Sequence, residues 1–159
     1  MTARMAEPSE TAVLARLWYD GWQDAHAAIL PAALARARTP ESFAERMAAA
    51  LADVRVIGPP GAPLGFAMLK GDELYQFYVA SEARGAGVAA ALMADAEAQL
   101  SDRGVETAWL ACAIGNARAA RFYEKSGWYL AKTMVSRLDT GDGFFDLEVW
   151  RYEKRLVYR

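Results

Sequence analysis

The stretch Val79-Ala-Ser-Glu-Ala-Arg84-Gly-Ala-Gly-Val-Ala89 decides the reading of this 159-residue chain. An apolar run ends at Val79 and a short loop carries Gly85 and Gly87. Val88, Leu92, Ala96 and Leu100 then repeat at helical spacing until Gly104. Small residues at such a corner let a ligand approach the backbone closely. The free amides of a first helical turn, with the helix dipole behind them, suit a phosphate or pyrophosphate. A tight corner that binds nothing is the alternative. Gly85-Ala-Gly87-Val-Ala-Ala90 also fits the loose dinucleotide pattern G-x-G-x-x-A, but its context argues against that reading. Such a fingerprint normally opens its fold, with the strand running straight into the first glycine. Here helices and strands precede it, and Glu106 begins a strand where a ribose-binding acid would end one.

Upstream of the loop, Val54 to Ile57, Leu64 to Leu69 and Glu73 to Val79 are short apolar runs. The turn-rich Gly58-Pro-Pro-Gly-Ala-Pro63 and the pair Gly71-Asp72 separate them, which predicts an antiparallel meander. The first fifty residues read as helical. Ser9 serves as an N-cap, with Val13, Leu14, Leu17, Trp18 and Trp22 on one face. Pro31 interrupts, and Thr39-Pro40-Glu41 starts a second helix carrying Phe43, Met47 and Leu51. Downstream, Val105 to Ala113 is a strand. Asn116 caps a short helix that ends before Gly127. Trp128 to Leu138 and Phe144 to Leu156 then form a hairpin across Asp139-Thr-Gly-Asp-Gly143. No repeat or linker interrupts the order, so residues 1–159 are expected to form one domain.

Composition narrows the chemistry. Eighteen basic residues against twenty acidic ones give a net charge of −2, which does not suggest a nucleic-acid partner. The apolar fraction of 54% is swollen by alanine, and the core must come from Leu, Val, Met and the aromatics. One Cys and one His rule out an internal disulfide and any zinc site with several Cys or His ligands. No metal is expected. No run long enough to span a membrane occurs, and Met1 to Glu10 lacks a signal peptide's apolar segment, so the expectation is a cytoplasmic protein off the membrane.

Two segments together resemble a known family. Arg84-Gly-Ala-Gly-Val-Ala89 fits the R/Q-x-x-G-x-G/A motif of the GNAT superfamily of acyl-CoA-dependent N-acetyltransferases, and Glu73-Leu-Tyr-Gln-Phe-Tyr-Val79 looks like the strand before it. Asn116-Ala-Arg-Ala-Ala-Arg-Phe-Tyr-Glu-Lys-Ser-Gly-Trp128 is similar to that family's N-x-x-A-x-x-F-Y-E-K-x-G-F/W segment. The likeness is close from Leu64 to Trp128 and looser outside it. It implies a mixed α/β fold with a central, mostly antiparallel sheet of about six or seven strands flanked by about four helices.

The resemblance also implies the ligand and its contacts. Acetyl-CoA would be the acyl donor, its pyrophosphate on Arg84, Gly85, Ala86, Gly87, Val88 and Ala89, with Arg118, Arg121 and Lys125 nearby. The pantetheine arm would add like a strand beside Phe77, Tyr78 and Val79. The amide of Tyr78 or Val79 would hold the thioester oxygen as charge develops on it. Tyr123 corresponds to the tyrosine that protonates the departing thiolate, although a core aromatic beside Phe122 is the plain alternative. Asn116 either caps its helix alone or also contacts the cofactor, with Ala119 beside it. Glu73, or water, would take the amine proton. Trp18, Trp22 and His26 form one helical stripe that packs on the sheet, but family members often wall the acceptor pocket there, so Trp22 and His26 are candidate substrate contacts. Cys112 reads as a buried, inert thiol.

The resulting expectation is transfer of an acetyl group to a primary amine, of a small molecule or a peptide, by direct attack in a ternary complex. A non-catalytic acyl-CoA sensor and an enzyme for longer acyl chains remain as alternatives. Small side chains near Phe77, Trp109 and Cys112 would favour the latter. A homodimer through the late hairpin stays open.

Overall fold

The computed structural model describes residues 2–156. Seven strands form one sheet in the order β1-β2-β3-β4-β5-β7-β6. In chain order they are β1 (Ala3–Met5), β2 (Val54–Ile57), β3 (Gly65–Lys70), β4 (Glu73–Val79), β5 (Thr107–Ala113), β6 (Tyr129–Asp139) and β7 (Phe144–Arg155). The helices are α1 (Thr11–His26), α2 (Ala32–Ala37), α3 (Pro40–Ala50), α4 (Val88–Asp102) and α5 (Ala117–Lys125). Every neighbouring pair of strands is antiparallel except β4 and β5.

The meander of β2, β3 and β4, both later helices and the final hairpin lie where the sequence puts them. Thr39 caps α3 by accepting from the Ser42 amide (3.1 Å), with Pro40 at the first helical position. Asn116 caps α5 by accepting from the Ala119 amide (3.3 Å). Two readings change at the N-terminus. Ala3–Met5 is an edge strand on β2, too short for its alternation to show. Ser9 lies inside a 3-10 turn, Pro8–Glu10, and Glu10 occupies the cap position of α1. The Glu10 side chain is fully buried and accepts from Arg4 Nη1 and Nη2 (2.9 and 2.8 Å) and from the Gly61 amide (3.0 Å). One carboxylate thus ties β1, the start of α1 and the loop after β2 together.

Helices cover both faces of the sheet. On one face Leu14, Trp18 and Trp22 of α1, with Phe43 and Met47 of α3, bury Val54, Val56, Phe66 and Met68. On the other, Val88, Leu92, Ala96 and Leu100 of α4 bury Ala67, Leu69, Leu74, Ala108, Leu110 and Cys112. Alternation along β3 sends Phe66 and Met68 one way, Ala67 and Leu69 the other.

Strand β4 breaks that alternation. Met68 pairs with Gln76 and Leu69 with Leu74, so Tyr75 is an extra residue on β4. Leu74, Phe77 and Val79 therefore face α4, whereas Tyr75 and Tyr78 face α1. The bulge sits where the sheet begins to open.

Candidate active site

Strands β4 and β5 meet at a single pair, Glu73 opposite Trp109, where the Trp109 amide donates to the Asp72 carbonyl (3.2 Å). Past that point they part, and the rest of β5 pairs only with β7. The direction of the β4 amides follows from hydrogen-bond parity. Just beyond the ladder the Ala80 amide donates to the Leu64 carbonyl (2.8 Å). Antiparallel partners bond in alternate pairs, so Tyr78 and Gln76 also turn their amides to β3. Phe77 and Val79 turn theirs into the gap.

A cavity of about 530 Å³ fills this gap. Its walls take Phe77, Val79, Cys112, Phe122 and Tyr123 from the α4 side of the sheet. From the α1 side they take Trp22, Tyr75, Tyr78, Leu138 and Leu147. The opening therefore passes through the sheet between the two helical layers. Gly21, on α1, lets that layer close in. A Cβ there would sit 2.5 Å from Tyr78 Cδ1.

At one mouth lie Arg84, Gly85, Gly87, Ala89, Asn116, Arg118 and Ala119. Gly85 and Gly87 have φ of +83° and +79°, a region that disfavours side chains. Gly87 is the cap position of α4 and supplies no side chain to it, so the first helical amides are bare donors backed by a fifteen-residue helix. Asp24 of α1 accepts from both Arg84 Nη2 and Arg118 Nη2 (3.0 Å each), which sets the two arginines side by side at this mouth. Their hydrogen bonds hold the Asp24 carboxyl below its ordinary range.

The titratable groups along the cavity differ in character. Burial, opposed in part by Lys70, pushes Glu73 up to about 7. Burial also raises the phenols of Tyr78 and Tyr123, so both stay protonated across the physiological range. Tyr123 packs against Phe122 (5.7 Å between centroids) and Tyr152 (6.1 Å), and Phe122 stacks on Phe77 (5.5 Å). Tyr123 is thus both a packed aromatic and a cavity wall. His26 Nδ1 lies 3.1 Å from the Trp22 carbonyl, which can only accept, so that nitrogen carries the proton. Burial drives the His26 imidazole down to about 4 and keeps it neutral. Cys112 is buried, and its thiol is pushed up to about 12 by burial. It is unreactive, as its setting on an apolar strand suggests.

Of the candidate residues read from the sequence, Trp22, His26, Glu73, Phe77, Tyr78, Val79, Arg84, Gly85, Gly87, Ala89, Asn116, Ala119 and Tyr123 all line this one cavity. Ala86 is exposed in the loop and the Val88 side chain is in the core, so neither reaches it by side chain. Arg121 and Lys125 do not line it, and neither does Trp109. The Trp109 indole donates to Asp72 (2.9 Å) and stacks under Arg151 (4.3 Å). Sequence reasoning missed Gly21, Arg38, Arg46, Ser136, Leu138 and Leu147. No local motif marks them, because α1, the α2–α3 connection, α3 and the distant hairpin meet only in the folded chain. Among the described residues no cluster of side chains suited to a metal ion occurs.

The same fold is found in solved N-acetyltransferases. A GCN5-related N-acetyltransferase from Rhodopseudomonas palustris superposes with a TM-score of 0.75 at 22% identity, covering 98% of this chain and 95% of that one. The paiA N-acetyltransferase of Thermoplasma acidophilum, solved with coenzyme A, superposes with a TM-score of 0.71 at 16% identity, covering 96% and 97%. The chain belongs to the acetyltransferase (GNAT) family, whose model matches residues 12–128. Uncharacterised N-acetyltransferases of Mycobacterium bovis and Mycobacterium tuberculosis are 40% identical over 83 residues, 49% of this chain and 53% of theirs. The chain thus spans about half the length of these curated relatives. No described helix is long and apolar enough to cross a membrane.

Proposed function

We propose that this protein is an acetyl-CoA-dependent N-acetyltransferase acting on a primary amine within a ternary complex. The observation that carries the reading is the gap between β4 and β5, with the Phe77 and Val79 amides turned into it and the bare N-terminus of α4 at its mouth. The pyrophosphate lies on the amides of Gly87, Val88 and Ala89 with Arg84 and Arg118 beside it. The pantetheine arm pairs with the open edge of β4. Parity favours Val79 over Tyr78 as the oxyanion donor, because the Tyr78 amide is spent on β3.

The amine nitrogen attacks the thioester carbonyl, forming the C–N bond as the C–S bond breaks. The amine proton passes through water toward the Glu73 carboxylate, which lies six residues back along β4 from Val79, and Tyr123 gives its proton to the departing thiolate. Glu73 is the better base of the two groups available. A base held near 7 is both ionised and proton-hungry at neutral pH, whereas His26 near 4 is too weak.

Acetyl-CoA turnover over an amine panel, followed by thiol release, tests the reading. Tyr123→Phe is expected to lower kcat by about 100-fold or more. Turnover at the wild-type rate would remove Tyr123 from the mechanism. A Glu73 base gives kcat/KM that rises with pH through about 7, as the carboxylate ionises. Glu73→Gln is expected to lose that acidic limb. A variant that kept it would point to the acceptor or to water instead.

A further inference from the structure

Two guanidinium groups in the cavity take no part in the reaction above. Arg38, just after α2, is 5% exposed, and its Nη1 donates to the Asp139 carbonyl at the hairpin turn (2.9 Å). Arg46, on α3, lies over the Trp18 ring at 4.2 Å, and its Nη1 is buried with no hydrogen-bond partner among the described residues. Both line the cavity beside Tyr75 and Tyr78. Burial and the neighbouring Arg46 charge push Arg38 down to about 10, so the two cations are close enough to repel.

Among the described residues neither forms an ion pair. Asp139, the carboxylate whose charge reaches Arg38, turns its Oδ1 to the Gly141 amide (2.9 Å). Arg38 is buried and Arg46 is half-buried with Nη1 shut off from water, and like charges so placed without a counter-ion are costly to a fold. Packing of Arg46 on Trp18 and the single bond from Arg38 to the hairpin leave that cost largely unanswered. Glu73, meanwhile, feels Lys70, Asp72 and Arg151 rather than this pair. The cavity therefore has a basic pole and a separate acidic one.

We infer that the amine acceptor carries a carboxylate, which Arg38 and Arg46 bind while the amine is presented toward Glu73. The inference rests on the acetyl-transfer reading. A carboxylate is favoured over a phosphate because Leu30, Leu34, Leu138 and Leu147 also line the cavity, and a monoanion is the cheaper to desolvate there. Fork-shaped guanidinium donors suit a planar carboxylate.

The test compares amines that differ only in the anion: phenylalanine against phenylalaninamide, leucine against leucinamide, and phosphoethanolamine against ethanolamine. The amide's amine is the less basic, so intrinsic reactivity favours it. The acid is nonetheless expected to show at least about tenfold higher kcat/KM, the worth of one charge-assisted hydrogen bond. Arg38→Met and Arg46→Met are each expected to cut this acid-to-amide ratio about tenfold. Calorimetry on the wild-type protein with bound CoA adds a readout free of turnover and of variants. N-acetylphenylalanine is expected to bind at least about tenfold tighter than N-acetylphenylalaninamide.

Equal kcat/KM and equal affinity for acid and amide overturn the inference. So does a ratio that survives in both folded variants, and a phosphate-bearing amine preferred to every carboxylate overturns the choice of anion. If no amine is acetylated but the N-acetyl acid still binds tighter than its amide, transfer fails and the anion subsite stands.

Discussion

At Gly21 an α-helix accepts its second-worst residue. Glycine in mid-helix costs about 1 kcal/mol relative to alanine, so Gly21→Ala would ordinarily stabilise α1. Here the added carbon would lie 2.5 Å from the Tyr78 ring, and that ring is itself held against Phe66 (5.9 Å between centroids). Overpacking costs typically about 1–3 kcal/mol, so the clash outweighs the propensity gain. Gly21→Ala is expected to lower the unfolding free energy in urea by about 1 kcal/mol and to reduce kcat, since the displaced ring sits on the strand that frames the cavity. An unchanged or raised midpoint would show that α1 shifts freely. Nothing in the sequence around Gly21 signals this, because its partner is 57 positions away.

At the scale of elements, strand β4 and helix α4 do most to shape the site. The bulge at Tyr75 turns Phe77 and Val79 toward α4 and Tyr78 toward α1. The loop after β4 then needs left-handed backbone at Gly85 and Gly87. The space beside both is open, so an alanine meets no clash and carries only the backbone strain of about 1 kcal/mol. Gly87→Ala should therefore leave the protein folded, lower its thermal midpoint by a few degrees, and weaken CoA binding severalfold in a titration. Unaltered CoA affinity would separate this loop from the cofactor. The glycine loop and the caps at Thr39 and Asn116 were legible because each is a local backbone demand met by neighbouring residues. The bulge was not, since alternation in β4 alone fits a regular strand equally well.

For the whole molecule, the N-terminal edge is fastened by Glu10 and Arg4. The hydrogen bonds from Arg4, aided by the backbone amides of Glu7 and Gly61, hold the Glu10 carboxyl down at about 2, against an ordinary 4.5. Above about pH 4.5 the carboxylate is ionised in both the folded and unfolded chains, and the pair contributes fully. As pH falls from there toward 2, the unfolded chain takes up a proton first and the contribution drains away. Glu10→Gln is expected to cost about 2–3 kcal/mol at pH 7, because it leaves a half-buried guanidinium with only the longer, exposed contact to Glu7 (3.8 Å). It should also flatten the acid decline between pH 4.5 and 2 in urea titrations. An equally steep decline in the variant would place the acid-sensitive group elsewhere.

The sequence by itself determined the order of elements from β2 onward, the glycine corner, the two helix caps and the residues that resemble a coenzyme A site. These depend on local periodicity, backbone torsion and nearest-neighbour hydrogen bonds, which a linear reading contains. The single Cys and single His already excluded an internal disulfide and a zinc site built on several such ligands. Only the tertiary structure decided which β4 amides face the gap, that Trp109 is tied to Asp72 and Arg151 away from the cavity, and that Arg38 and Arg46 meet inside it. The reason is physical. Strand parity, the bulge register and the pairing of charges are set by partners far along the chain, and burial decides which of those charges are left without one.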